Sequence, residues 1–183
     1  MTFPSLANAD DLYFVTATVT RWEPILANEK YIRIVLDSFS WLKDHNRILL
    51  FAFVIMPTHL HCILKPTNCS ISGILQQFGS YTAHQIINNL QSDQHIEVLN
   101  EFHLFRRHPD RQYSIWQDIQ AKNIFTQKYL EQKLEYIHNN PVTNESNLTD
   151  ERSNYVYSSA CFYDNGIKPI IPIDDLREWL SRE

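Results

Sequence analysis

Two histidines separated by one residue, His59 and His61, are the first residues in the sequence whose types and spacing could do chemistry. In a β-strand, residues i and i+2 project from the same face, so both imidazoles would point the same way. Two neutral imidazoles roughly 7 Å apart at their Cα atoms can bind one divalent ion. The same spacing also fits two half-exposed histidines on a sheet surface, so the pair needs a partner elsewhere in the chain.

Tyr136 and Asn140 could be that partner. They lie four residues apart in a predicted helix, which places them on the same side of it. This side flanks an apolar stripe that is expected to face the core. A phenol and an amide oxygen could therefore be aimed together at a metal site on the sheet. The alternative is an ordinary aromatic residue at the edge of the core and an asparagine that ends the helix before Pro141.

The elements that would position these residues follow from apolar periodicity and turn signals. Strands are predicted at residues 13–20, 48–56, 59–65 and 113–116, and helices at residues 29–46, 72–90, 127–140 and 174–181. Thr126 is expected to cap the third helix, and the polar residues 91–112 are expected to form a long loop. This order predicts an α+β fold: a ferredoxin-like antiparallel sheet with helices on one face, plus an added C-terminal helix that carries Tyr136.

Four stretches of the chain together resemble the REP-associated tyrosine transposases, a branch of the single-tyrosine HUH transposase family (IS200-like transposases). They are YFVTATVTRWEPIL, FAFVIMPTHLHCIL, the IWQ at residues 115–117, and LEYIHNNPV. A fifth segment, YSSACFY, also looks like one that recurs in the family. The stretches occur in the family's order and span about residues 12–163.

This resemblance implies a role for each residue of the two patterns. It implies that His59 and His61 bind Mg²⁺ or Mn²⁺, that Asn140 is the third ligand, and that Tyr136 on the added, catalytic helix is the nucleophile. The implied activity is cleavage and rejoining of single-stranded DNA, often with a hairpin beside the cleaved bond, through a 5′-phosphotyrosine intermediate. The chain lacks the family's usual basic run after NPV, a departure that bears on DNA affinity more than on chemistry.

The charge distribution bears on how such a protein would bind DNA. The net charge is −5, with eight acidic and four basic residues in 143–183, so that the rest of the chain is nearly neutral. A nearly neutral body can still hold a local basic groove. Arg106, Arg107 and Arg111 are candidates to contact phosphates, and a solvated charged loop is the alternative. The tryptophans, including Trp22, are expected to pack against neighbours rather than to stack on bases.

Length and composition bound the remaining expectations. A chain of 183 residues suits one domain, here a transposase domain at 1–142 with an appendage at 143–183 packed on it. The longest apolar run, 48–56, is too short to span a bilayer, and the first residues have no basic start or apolar segment. Three cysteines without zinc spacing fit reduced thiols. We therefore expect a cytoplasmic monomer or homodimer with no membrane association.

Three other functions would use parts of the same pattern. A replication-initiation or relaxase-like HUH nuclease would use the same chemistry, but such proteins are usually larger. A domesticated, non-transposing protein that binds hairpin DNA would keep the fold and tolerate loss of Tyr136 or the histidines. A structural metal protein would unfold when chelators removed its ion.

Overall fold

A four-stranded antiparallel sheet forms the centre of the computed structural model, which describes residues 12–107 and 109–181. Its strands are β1 (Tyr13–Val19), β2 (Ile48–Ile55), β3 (His59–Pro66) and β4 (Trp116–Asn123). The strand order is β2-β3-β1-β4, with each neighbouring pair antiparallel. This is the predicted ferredoxin-like arrangement, and the α+β class is confirmed.

Helices cover both faces of this sheet. They are α1 (Glu29–Asp44), α2 (Ile71–Ser92), α3 (Ile96–Leu104), α4 (Gln127–Asn139), α5 (Ala160–Asn165) and α6 (Leu176–Leu180). The first three pack into an apolar core on one face. The last three contribute to a second core on the opposite face, where α4 is the added helix that the sequence predicted. Thr126 caps α4, since its side chain accepts a hydrogen bond from the Tyr129 amide at 3.3 Å.

Strand β2 is continuously apolar because both of its faces are covered. Phe53 and Ile55 pack into the first core, whereas Phe51, Ala52 and Val54 pack into the second. The two adjacent residues Phe51 and Ala52 face the same side because the pairing with β3 shifts register between Leu50 and Ala52. The strand leads into a tight turn, closed by a hydrogen bond of 2.8 Å from the Met56 amide to the His59 carbonyl.

Two sequence predictions were wrong in the segment 91–123. Residues 96–104 form α3 rather than part of a loop, because Leu99 and Phe102, three residues apart, are buried in the first core and the helix packs on α2. The fourth strand runs from Trp116 to Asn123 rather than over residues 113–116. The strand is hard to predict because much of it is polar. Ile119 and Ala121 pack on the first core, whereas the polar residues that alternate with them face the other side of the sheet.

The segment after residue 142 packs on the second core. Tyr163 donates a hydrogen bond of 2.9 Å from its hydroxyl to the Phe51 carbonyl, and Leu176 and Leu180 are buried beside it. The division at residue 142 stays a prediction. In the part of the chain that the structure describes, no helix combines the length and apolar character needed to cross a membrane.

We expect Asp174→Ala to lower the free energy of unfolding by about 1–2 kcal/mol. The Asp174 carboxylate accepts hydrogen bonds from the Leu50 amide (2.8 Å) and from Lys43, and its own amide donates to the Leu50 carbonyl. Loss of the carboxylate would leave the Leu50 amide and the largely buried ammonium of Lys43 without this partner. Urea unfolding measures the change, with the exposed Asp37→Ala on α1 as the control. An unchanged midpoint for Asp174→Ala would contradict this role.

Candidate active site

The two histidines of β3 project from the face of the sheet that α4 covers. Their ring centroids are 4.9 Å apart, whereas Cys62, the next residue of the strand, is buried in the opposite core. The cross-strand neighbour of His61 on β1 is Thr16, and the neighbour of His59 is Thr18. Strand alternation therefore places both imidazoles on one surface, as the spacing predicted.

Threonine hydroxyls orient both imidazoles. Thr16 Oγ1 lies 2.9 Å from His61 Nδ1, and Thr58 Oγ1 lies 2.9 Å from His59 Nδ1. Since each Nδ1 is engaged, Nε2 is the nitrogen of each ring that is left to bind an ion. The His61 ring is also fixed by Phe14, which stacks on it with a centroid distance of 5.3 Å. The pair is thus held by β1 and by the turn before β3.

Burial keeps both imidazoles neutral. It lowers the pKa of His61 to about 3, with further lowering from His59 and from the ammonium of Lys133. Burial also lowers the pKa of His59, although a hydrogen bond with Asn140 acts in the opposite direction. A neutral imidazole is the form that binds a metal ion. The site therefore has the protonation state that metal binding requires at physiological pH.

Helix α4 brings Tyr136 to the histidines, and Asn140 reaches them from the C-cap of the same helix. The Tyr136 ring lies 5.0 Å from the His61 ring and 6.1 Å from the Phe14 ring, both in edge-to-face geometry. Tyr136 is 47% exposed, whereas Asn140 is buried and hydrogen bonds with His59. All four residues that the sequence singled out therefore meet on one face of the sheet.

The donor atoms at this site fit a divalent ion. His61 Nε2 is buried and has no hydrogen-bond partner among residues 12–107 and 109–181. An unpartnered buried nitrogen is costly unless something else binds it. No cluster of three His, Cys, Asp or Glu side chains suited to a metal occurs in that same part of the chain. Two imidazoles and one amide oxygen would leave the remaining positions of an ion to ligands from outside the protein.

A lysine that the sequence analysis missed lies beside the tyrosine. Lys133 Nζ is 5.0 Å from the centre of the Tyr136 ring, 4.5 Å from that of Phe14 and 5.3 Å from that of Tyr129. Burial lowers the pKa of Lys133, and Lys122 on β4 lowers it further. Its position three residues before Tyr136 on the same helix is the signal that could have identified it. The structure therefore adds a cation to the site.

The three predicted arginines lie elsewhere. Arg107 and Arg111 line a cavity of about 720 Å³ between α2 and the segment 112–119, on the face of the sheet opposite the histidines. Arg106 donates a hydrogen bond to the His103 carbonyl, and its Nε is buried without a partner among the described residues. The structure thus does not bring these arginines to the candidate active site.

Trp22 departs from its expected packing role. It is 56% exposed, and its ring meets the His59 ring edge-to-face with a centroid distance of 5.3 Å. Ring contacts therefore run from Trp22 through His59 and His61 to Tyr136. Trp22 thus contacts one histidine of the pair and Tyr136 contacts the other.

Comparison with solved structures finds this fold in a REP-associated tyrosine transposase, which was solved bound to a REP hairpin. That protein is 17% identical in sequence, with a TM-score of 0.57 over 96% of this chain and 90% of that chain. A candidate transposase from Deinococcus radiodurans R1 aligns with 16% identity and a TM-score of 0.45, over 76% of this chain and 97% of that chain. No family model matches the sequence, and no curated protein matches it. The first similarity establishes a shared fold.

Proposed function

We propose that this protein is a transposase that cleaves and rejoins single-stranded DNA through a covalent link to Tyr136. The observation that carries the proposal is the meeting of an exposed tyrosine with a neutral, oriented pair of histidines and a buried asparagine. The histidines belong to β3, whereas the tyrosine and the asparagine belong to α4 and its C-cap, at least 75 positions later in the sequence. The fold shared with a REP-associated tyrosine transposase supports the same function.

In the proposed reaction, Tyr136 Oη attacks the phosphorus of one phosphodiester. The Oη–P bond forms and the P–O3′ bond breaks, which leaves a 5′-phosphotyrosine and a 3′-oxygen that takes up one proton. The phenol releases one proton, which can pass to water because Tyr136 is about half exposed. No phosphoester linkage is lost, since one ester replaces another. A second 3′-OH can therefore attack the phosphotyrosine and join two strands.

His59, His61 and Asn140 are the residues that would hold Mg²⁺ or Mn²⁺. When bound, such an ion would neutralise charge on the phosphate oxygens. The protein's own residues position the reacting groups. Thr16 and Thr58 fix the orientation of the imidazoles, and the sheet holds the His61 ring 5.0 Å from the ring of the proposed nucleophile, Tyr136. Preorganised groups of this kind align the phosphate for in-line attack.

The DNA partner in this proposal is single-stranded, with a hairpin beside the cleaved bond. The REP-associated transposase of the same fold was solved with a hairpin bound. Arg107 and Arg111 line a cavity on the α2 face, where they could contact phosphates of DNA outside the cleavage site. Arg106, which is tied to the His103 carbonyl, has less freedom to do so.

One assay tests the proposal directly. The protein is incubated with single-stranded hairpin DNA and Mn²⁺, and the products are separated on a denaturing gel. We expect a covalent protein–DNA adduct and a free strand ending in a 3′-OH. A domesticated hairpin-binding protein would bind the DNA without forming the adduct, and that result would reject the proposal.

We expect Lys133→Met to slow adduct formation by about tenfold to a hundredfold while the protein still binds DNA. The ammonium of Lys133 lies over the Tyr136 ring, from where it can stabilise negative charge that develops on Oη and on the phosphate. Methionine keeps the apolar stem that packs on the rings and removes only the charge. Single-turnover adduct formation and fluorescence anisotropy measure the rate and the affinity separately.

The matched control for Lys133 is Lys128→Met, which removes an exposed charge from the same helix. Lys133→Arg should recover much of the rate because it restores a cation. If Lys133→Met lowers affinity and rate by the same factor, Lys133 binds DNA in the ground state and has no separate role in the reaction.

A further inference from the structure

Trp22 has a backbone conformation that its side chain does not favour. Arg21 and Trp22 are consecutive residues with φ values of 59° and 57°, in the left-handed region that favours glycine. Two such residues in a row carry a conformational cost, and they persist only where the surrounding structure holds them in place. The ring that this conformation presents is exposed beside His59.

The surrounding structure does hold this turn. Thr20, which precedes it, donates hydrogen bonds from its amide to the Ile115 carbonyl (2.8 Å) and from its hydroxyl to the Ser114 carbonyl (2.6 Å). The Arg21 amide donates to Gln117 Oε1 at 3.2 Å, and the Arg21 guanidinium lies 4.2 Å above the Phe105 ring. Arg21 therefore has partners that explain its position. A hydrogen bond of 3.2 Å from the Glu23 amide to the Thr20 carbonyl closes the turn, with Arg21 and Trp22 as its two central residues. This explains the Trp22 backbone, whereas its exposed ring, within the described part of the chain, makes one ring contact, the edge contact with His59.

We propose that Trp22 is a stacking platform for one nucleobase of the DNA: the base of the nucleotide that carries the leaving 3′-oxygen. The inference rests on the function proposed above. In an in-line displacement, the leaving oxygen departs on the side of phosphorus opposite the attacking oxygen. Tyr136 contacts His61 at one end of the pair, whereas Trp22 contacts His59 at the other end. The nucleotide on the 5′ side of the broken bond is therefore the one nearest the Trp22 ring, and any base can stack there.

Trp22→Gly separates this role from a structural one. Glycine tolerates the left-handed conformation, so the variant relieves strain while it removes the ring. We expect its Tm to rise by about 2–4 °C, and adduct formation to slow by roughly 5-fold to 150-fold, the range that follows from losing one base–aromatic stack. Trp22→Tyr should restore most of the rate. A fall in Tm for Trp22→Gly would show that the ring stabilises the turn, and would overturn the inference.

The matched control is Trp41→Ala. Trp41 is also exposed (44%) and also contacts a histidine ring, that of His45 at 4.1 Å, but it lies at the end of α1 rather than beside His59. Its loss should leave the rate of adduct formation unchanged. An equal slowing by both variants would mean that the effect of Trp22 is not local, and the inference would fail.

Abasic DNA identifies the base that stacks. The wild-type protein first maps the cleavage position, and the substrate is then made abasic on the 5′ or the 3′ side of that bond. With the 5′ site abasic, Trp22→Gly should cause no further loss, because the stacking partner is already gone. With the 3′ site abasic, the full loss should remain. The reverse pattern, or equal losses on both substrates, would overturn the assignment.

The outcomes also separate this inference from the proposed function. If the wild-type protein forms no adduct on any hairpin substrate, the function itself fails. If the wild-type protein forms the adduct and Trp22→Gly forms it at the same rate, the function stands and the platform fails. A second readout does not require cleavage: 2-aminopurine on the 5′ side of the bond should be quenched on binding to Tyr136→Phe protein, and less so when Trp22 is also replaced by Gly.

Discussion

Tyr136→Phe is expected to abolish the covalent protein–DNA adduct, with a loss of at least about a thousandfold. The substitution removes one hydroxyl, which is the only nucleophilic atom of the side chain. The ring contacts of Tyr136 with His61, Phe14 and Lys133 do not use the hydroxyl, so phenylalanine can keep all three. Folding and binding of hairpin DNA should therefore be unchanged. Denaturing gels measure the adduct, and thermal unfolding and anisotropy measure the properties that should persist.

The matched control is Tyr129→Phe. Tyr129 lies two helical turns before Tyr136 on α4, and its ring also contacts Lys133, at 5.3 Å. It is the alternative nucleophile on the same face of the helix, so its conservative variant should form the adduct normally. Mass spectrometry of the wild-type adduct should place the nucleotide on the peptide that contains Tyr136. Recovery of the adduct from Tyr136→Phe protein would remove this residue from the mechanism.

The parts of the fold that sequence patterns could predict are those in which one residue type dominates a face. The apolar run of β2 indicated a strand covered on both sides, and Phe51 and Phe53 are buried on different faces. Alternation placed His59 and His61 on one face and Cys62 on the other. Helical spacing placed Tyr136 and Asn140 beside each other. In each case a local period of two or 3.6 residues determines the direction of the side chain.

The elements that were missed depend on contacts between distant residues. The strand β4 is polar on its outer face, and its pairing with β1 supplies the hydrogen bonds that define it. The helix α3 buries only two residues, Leu99 and Phe102, in a core that other elements form, and it packs on α2. Neither element has a strong apolar periodicity in its own sequence, because each is stabilised by contacts with residues elsewhere in the chain.

The same distinction applies within the candidate site. Thr16 could have been inferred from pairing β1 with β3, and Lys133 from its spacing to Tyr136. Trp22 could not, since no sequence pattern predicts two consecutive left-handed residues that are not glycine or asparagine. The arginines were predicted only as phosphate contacts, and their sequence carries no signal for where they lie: Arg107 and Arg111 line the cavity beside α2, on the face of the sheet opposite the histidines.

Removal of either histidine imidazole is the second change with a large expected effect. We expect His59→Ala and His61→Ala each to weaken Mn²⁺ binding by at least about a hundredfold, since even the loss of a residue that only orients a metal ligand costs about 10-fold to 100-fold. Adduct formation should be lost with metal binding. Asn140→Ala should be milder, near tenfold, because an amide oxygen is a weaker ligand than an imidazole and water can replace it. Titration calorimetry with Mn²⁺ measures each affinity without DNA.

The control His45→Ala removes an exposed histidine at the end of α1, away from the site, and should bind Mn²⁺ as the wild-type protein does. Chelation tests the structural alternative. Both histidines belong to a strand that is hydrogen-bonded to β1 and β2 and whose neighbours fill two apolar cores, so the fold has its stabilising contacts without an ion. EDTA should therefore abolish adduct formation and leave the far-ultraviolet circular dichroism unchanged. Unfolding on chelation, or full Mn²⁺ affinity in His61→Ala, would show that the histidine pair has a different role from the one proposed.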